Sequence, residues 1–265
     1  MEVRAKKSLG QHFLTDQEIA RRIVLSLTER GDVLEIGPGM GVLTQYLLER
    51  DDINLKMVEL DGESVQYLMG HFPGMQGKLL QQDFLKMNLH KHFEGNFSII
   101  GNFPYNISSQ IFFKVLDHRD CVPQVVCMIQ KEVAERIAEG PGSKTYGILS
   151  VLLQAWYDIQ YLFTVEPGAF APPPKVRSAV IRLQRNTRES LPVDESLFKA
   201  VVKTSFGQRR KTLRNSLRPL AKEMALRKGM DEGQLSSFLA DPTFDLRPER
   251  LSVEDFISLT AKFSD

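Results

Sequence analysis

The feature that most constrains this chain is a short apolar run, residues 32–36, that breaks into Gly37-Pro38-Gly39-Met40-Gly41 and resumes at helical spacing through Val42, Leu43, Tyr46, Leu47 and Leu48. A strand, a glycine loop and a helix in direct succession commit the chain to an α/β fold. The glycines let the backbone turn sharply and approach a ligand, and the helix that follows presents unpaired N–H groups. A loop of the nicotinamide type wants a third glycine where Val42 stands, which argues against that cofactor class.

Further strand patterns at residues 53–60, 77–81, 97–100 and 122–129 alternate with helical stretches. That alternation predicts a mostly parallel sheet with helices on both faces and functional groups at the C-terminal ends of its strands. Residues 146–156 read as a helix, and residues 157–164 and 177–183 as late strands separated by the proline-rich stretch Phe170-Ala171-Pro172-Pro173-Pro174-Lys175-Val176. From about Asn186 the patterns are helical only (residues 195–206, 209–217, 231–239 and 252–262), the last opened by a Ser252/Asp255 capping box. The expected organisation is an α/β domain over residues 1–185 and a small helical domain over residues 186–265.

Of the 265 residues, 42% are hydrophobic and 25% charged, a balance that excludes a disordered or fibrous chain. Two cysteines, Cys121 and Cys127, are too few for a disulfide framework and lack the spacing of a structural zinc site. The histidines form no metal-ligand pattern either, and no metal is expected. No apolar run approaches the roughly 20 residues that a spanning helix needs, and Arg4, Lys6 and Lys7 are not followed by the apolar stretch of a signal peptide. A cytoplasmic protein without a membrane partner is expected.

The net charge of +1 conceals a segment, residues 171–222, with thirteen Lys and Arg against three acids. Clustered cations point to a polyanion, and nucleic acid is the commonest one. Lys175, Arg209, Arg210, Lys211 and Arg214 are the candidate phosphate contacts.

Acids at successive strand ends suit a nucleoside ligand. Glu59 is placed to accept from ribose hydroxyls, and Asp83 from an adenine amine with Phe84 packed on the ring. Asn102-Phe103-Pro104-Tyr105 is the most specific feature. An amine conjugated to a purine is a weak nucleophile, because its lone pair is delocalised. The Asn102 side-chain oxygen and the Pro104 carbonyl are expected to accept one N–H each, favouring a pyramidal nitrogen with its lone pair aimed at an electrophile. Tyr105 offers an aromatic face to an extruded base, and Phe170 is expected to sandwich that base from the other side.

These residues, together with Ser8-Leu9-Gly10-Gln11-His12-Phe13-Leu14, Glu35-Ile36, Gln82-Asp83-Phe84, Gln130-Lys131-Glu132-Val133-Ala134-Glu135-Arg136 and Phe206 through Arg209-Arg210-Lys211-Thr212-Leu213-Arg214, resemble the bacterial small-subunit (16S) ribosomal RNA adenine N6-dimethyltransferases, the kasugamycin-sensitivity methyltransferase family. The resemblance runs nearly end to end. It implies a class I methyltransferase (Rossmann-like) fold of seven strands with the last antiparallel, and S-adenosylmethionine as cofactor. It further implies that Gln11, His12, Leu14, Gly37, Gly39, Glu59, Asp83, Phe84 and Asn102 surround the cofactor, while Asn102, Pro104 and Tyr105 face the target. The implied substrate is a pair of adjacent adenines in the 3′-terminal hairpin loop of 16S rRNA, methylated by a monomer within a pre-30S particle. Alternatives left open are a large-subunit rRNA methyltransferase of the macrolide-resistance type, a DNA adenine methyltransferase, which carries two prolines in its corner motif, and a non-catalytic assembly factor.

Overall fold

A computed structural model describes Ala5, Lys6 and residues 9–264; Arg4, Lys7 and Ser8, which figure in the sequence reading, lie outside the described residues. In chain order the elements are β1 Phe13–Leu14, α1 Gln17–Leu25, β2 Gly31–Ile36, α2 Thr44–Leu48, β3 Ile53–Glu59, α3 Gly62–His71, β4 Leu79–Gln81, β5 Phe97–Asn102, α4 Ser108–Asp117, β6 Gln124–Gln130, α5 Lys131–Ala138, α6 Ile148–Gln154, β7 Tyr157–Val165, β8 Phe170–Ala171 and β9 Ser178–Arg185. Five helices follow: α7 Glu195–Gly207, α8 Leu213–Ser216, α9 Arg218–Lys228, α10 Glu232–Leu239 and α11 Val253–Ser264.

Seven strands form one sheet in the order β4-β3-β2-β5-β6-β9-β7. The β2, β3, β4, β5 and β6 pairings are parallel, and β9, last in sequence, runs antiparallel to both its neighbours. That is the class I arrangement the resemblance implied. The chain winds outward from β2 through β3 to β4, then returns to place β5 on the other flank of β2. The crevice beyond the C-terminal ends of β2 and β5 is therefore the switch point, where folds of this kind bind ligands. β6 is covered on both faces, and Val125, Val126, Cys127, Met128 and Ile129 are all fully buried. Asp16 caps α1 by accepting from the Ile19 N–H at 3.0 Å, and Ala20, Ile23 and Val24 turn inward on one helical stripe.

A small antiparallel pair was not legible in the sequence. β1 pairs with β8, Phe13 opposite Ala171 and Leu14 opposite Phe170, and the Thr15 N–H extends the ladder to the Ala169 carbonyl at 2.8 Å. Two residues carry no periodicity, so a two-residue strand leaves no pattern to read.

The chain divides into two compact units. The first runs through Glu135 and resumes at Tyr157–Asn186; the second takes Arg136–Trp156 and everything from Thr187 onward. The break near residue 186 lies where the composition changes, but residues 136–156, grouped above with the α/β domain, pack with the helices. Within the second unit Gln154 donates to the Ile137 and Glu139 carbonyls, and the Tyr146 ring meets Phe206 edge-on at 6.1 Å. Phe238, Phe244 and Phe263 form a second aromatic cluster, with centroids 5.1 to 6.2 Å apart.

The helix expected over residues 209–217 is shorter than its pattern. Residues 208–212 form a turn, with the Lys211 N–H bonded to the Gln208 carbonyl, before α8 begins. α9 went unpredicted because it is polar on nearly every face and buries only Ala221, Met224 and Ala225. Pro219 in its first turn and left-handed Gly229 at its end (φ 66°) delimit it. The capping box at α11 is present, Ser252 and Asp255 exchanging backbone-to-side-chain bonds of 2.9 and 3.1 Å.

Candidate active site

Strand ends and one N-terminal segment build a single pocket in the first unit. Its lining includes Gln11, His12, Leu14, Glu35, Gly37, Gly39, Glu59, Asp83, Phe84, Asn102, Pro104 and Tyr105. All the residues read as cofactor-facing or catalytic are thus brought together.

From β2 the backbone passes through Gly37 (φ 65°) and Gly39 (φ 56°), conformations that side chains rarely adopt. At Gly39 space is closed as well, since a Cβ there would stand 2.9 Å from the Phe13 ring. Glu59 ends β3 with 6% exposure, its Oε2 accepting from the Gly39 N–H at 3.1 Å and its Oε1 from the Asp61 N–H at 2.9 Å. Burial raises its pKa above the usual carboxylate value, and the two backbone donors oppose that rise. A carboxylate has about four acceptor positions, so lone pairs remain for hydroxyl donors after both backbone bonds.

Asp83 follows β4 and caps the 3₁₀ turn Phe84–Lys86, its Oδ1 accepting from the Leu85 N–H at 2.9 Å. The Phe84 ring, 4% exposed, closes the floor beside it. The donor and acceptor set therefore fits an adenosine: a carboxylate for the ribose, a carboxylate with an aromatic wall for the base, and an open glycine turn for the rest of the ligand.

Asn102 ends β5 beside that turn. Its Nδ2 donates to the His12 main-chain carbonyl at 2.9 Å, which fixes the amide plane and leaves Oδ1 as the acceptor it offers. His12 thus serves the site first through its backbone. Its ring Nδ1 donates to the Pro172 carbonyl at 3.1 Å, and the ring lies 5.3 Å from that of Tyr105. The Pro104 carbonyl already accepts from the Ile107 N–H at 3.2 Å and keeps its second lone pair. The Tyr105 hydroxyl is bonded to the buried Ser178 Oγ at the start of β9, which sets the ring's tilt, and burial raises the phenol's pKa.

Two residues at this crevice were missed, Glu35 in the pocket lining and Gly101 outside it. Glu35 lines the pocket at 1% exposure, accepting from the Thr44 hydroxyl at 2.7 Å, and desolvation pushes its pKa up to about 8, so it is protonated at neutral pH. The available signal was a lone acid inside the buried run Val33-Leu34-Glu35-Ile36. Gly101 is the other. A Cβ there would sit 2.4 Å from the Ile36 carbonyl oxygen, so the close approach of β5 to β2 at the crevice requires glycine.

One expectation fails on burial. Phe170 does not line the pocket; it is 4% exposed, held in the β1–β8 pair and packed in the core with Leu14 and Ala169, so it has no free face for stacking a base. Lys175 is exposed on the proline segment. In the second unit Arg210 and Lys211 are exposed, whereas Arg209 donates to the Ser143 carbonyl at 3.1 Å, and Arg214 donates to the Leu239 carbonyl and pairs with Asp245, both at 2.9 Å. Among the described residues no helix is long and apolar enough to cross a membrane.

Comparison with known proteins gives the family. The family model described as ribosomal RNA adenine dimethylase matches residues 2–237. The ribosomal RNA small subunit methyltransferase A of Parabacteroides distasonis is 59% identical over 260 residues, covering 97% of this chain and 93% of that protein. Its namesake in Cytophaga hutchinsonii is 55% identical over 266 residues, covering 99% and 98%. Among solved structures, a dimethyladenosine transferase from Plasmodium falciparum superposes with a TM-score of 0.80 at 23% identity, covering 96% of this chain and 98% of that one. The 23S rRNA methyltransferase ErmE does so at 0.62 and 24% identity, covering 96% and 100%; at these identities the two show the fold. With a family model over most of the chain and relatives above half identity along its length, the chain belongs to the ribosomal RNA adenine dimethylase family and is an S-adenosylmethionine-dependent methyltransferase.

Proposed function

We propose that this protein transfers two methyl groups to the exocyclic N6 of each of two adjacent adenines in the 3′-terminal hairpin loop of 16S rRNA, acting as a monomer in the cytoplasm on a pre-30S particle. The observation that carries the reading is the Asn102 corner: Asn102 and Pro104 line one pocket, with the amide nitrogen tied to the His12 backbone.

Gly37, Gly39, Glu59, Asp83 and Phe84 hold S-adenosylmethionine, which supplies a methyl group already activated on a sulfonium. The protein's task is then positional. Asn102 Oδ1 and the Pro104 carbonyl each accept one N–H of the target amine and keep its nitrogen pyramidal, its lone pair directed at the methyl carbon. No strong base is called for at this corner, because the nitrogen becomes acidic once methylated and gives its proton up afterwards. The monomethylated amine has one N–H left, so the two acceptors serve in turn during the second transfer. Tyr105 provides the stacking face for the extruded base. Exposed Arg210, Lys211 and Lys175 suit phosphates of a folded RNA, recognised by shape and backbone while unpaired bases enter the pocket.

The test is transfer of labelled methyl groups to ribosomal subunits from cells lacking this protein, with the modified nucleotides mapped. Two neighbouring N6,N6-dimethyladenosines near the 3′ end of small-subunit RNA are expected. Label in large-subunit RNA, or none in either, overturns the reading.

A further inference from the structure

Lys114, on α4, has its ammonium in a cradle of main-chain carbonyls. It donates to the Phe84 oxygen at 2.6 Å, the Leu85 oxygen at 3.2 Å and the Met87 oxygen, and Nζ lies 4.9 Å from the centre of the Phe84 ring. Three N–H donors meet three acceptors, which exhausts the ammonium's capacity. Phe84 and Leu85 belong to the 3₁₀ turn and Met87 is its C-cap; the Phe84 oxygen also accepts from the Met87 N–H at 3.2 Å, so the ammonium ties the turn and its cap together from outside. Burial draws the lysine's pKa down, and the Asp83 charge opposes that shift.

The two ends of this bridge give it meaning. One is the turn opened by Asp83 and containing Phe84. The other is α4, which starts at Ser108, shortly beyond the Asn102–Tyr105 corner. We propose that Lys114 is a positioning residue for cofactor recognition: by clamping the Phe84–Met87 carbonyls to α4 it sets Asp83 and Phe84 against the adenine, in fixed relation to the corner that holds the target amine. The role rests on reading Asp83 as the acceptor for the adenine's exocyclic amine. An arginine does not replace it, because a planar fork cannot direct three N–H bonds from one nitrogen into converging carbonyls.

The test is a specificity ratio measured by calorimetry on the full-length protein, with S-adenosylhomocysteine and its inosine counterpart, in which a carbonyl replaces the amine. Wild type is expected to prefer the adenosine form by about tenfold or more, from a charge-assisted hydrogen bond exchanged for an unpaired acceptor. In Lys114→Met the preference falls by about fivefold, towards none, because an untethered carboxylate and ring no longer distinguish the two bases. A role in general stability alone would weaken both ligands alike and leave the ratio unchanged; that result overturns the proposal. If the Met variant does not fold, Lys114→Arg gives the same reading: a reduced ratio supports the role and an unchanged one overturns it. A wild type without any preference overturns the Asp83 assignment instead, and the role of Lys114 in adenine recognition with it.

Discussion

The pocket and the basic segment at residues 209–214 hold their chemistry in opposite ways. In the pocket the three polar groups at the ends of β3, β4 and β5 are tied to main chain: Glu59 to two backbone N–H groups, Asp83 to one, and Asn102 to the His12 carbonyl. In the basic segment Arg210 and Lys211 carry charge on long exposed stems, while Arg209 and Arg214 use their N–H groups on carbonyls of their own unit. Directed bonds suit the aiming of one nitrogen. Loose charge suits phosphate, where position matters less than sign. A run of cations read as one patch thus splits, on folding, into groups that present charge and groups tied to carbonyls of their own unit.

The largest expected effect tests the backbone constraint. Gly101→Ala sets a Cβ 2.4 Å from the Ile36 carbonyl, one backbone against another with no side chain to give way, and should cost about 3 kcal/mol or more in urea denaturation. Wild-type stability would show that the crevice tolerates widening. Next is Glu35→Gln. Between the ordinary carboxyl value of 4.5 and the folded value of about 8, the native state keeps a proton that the unfolded chain has released. Stability therefore falls by about 1.4 kcal/mol for each pH unit gained in that window. Gln cannot ionise, so the variant should lose less stability than wild type on going from about pH 5 to about pH 8; equal losses would contradict a buried neutral acid.

Smaller effects separate the two kinds of cation. Charge reversal at Arg210 and Lys211 should weaken binding to the immature subunit by about tenfold, flatten its salt dependence and leave cofactor affinity and melting temperature unchanged. Arg214→Ala should instead lower stability by about 1 kcal/mol through the bond to the Leu239 carbonyl. If Arg214→Ala weakened RNA binding as strongly as the reversal and left stability intact, the division of the segment would be wrong.

Legibility follows the same division. Gly37, Glu59, Asp83 and Asn102 could be read from sequence because each stands at the end of an apolar run, and a parallel sheet delivers strand ends to one edge. Phe170 was misplaced because its partner, Leu14, is remote in sequence and pairs through a two-residue strand. Glu35 and Lys114 stayed unread for a related reason. What matters about each is a tertiary partner, the Thr44 hydroxyl in one case and the Phe84–Met87 carbonyls in the other, and no spacing rule encodes either. Residues 136–156 were assigned to the wrong neighbours because helical periodicity shows which face is apolar but not what covers it.

On the proposed function, a fixed amide oxygen, and not a base or a covalent group, makes the adenine amine reactive. Asn102→Ala tests it most directly, with cofactor affinity by calorimetry and single-turnover methyl transfer measured on one preparation. Transfer should fall by about a thousandfold, the scale seen when a fixed polar group at a reacting centre is removed, while the cofactor still binds. Transfer near the original rate with the cofactor bound would contradict the account.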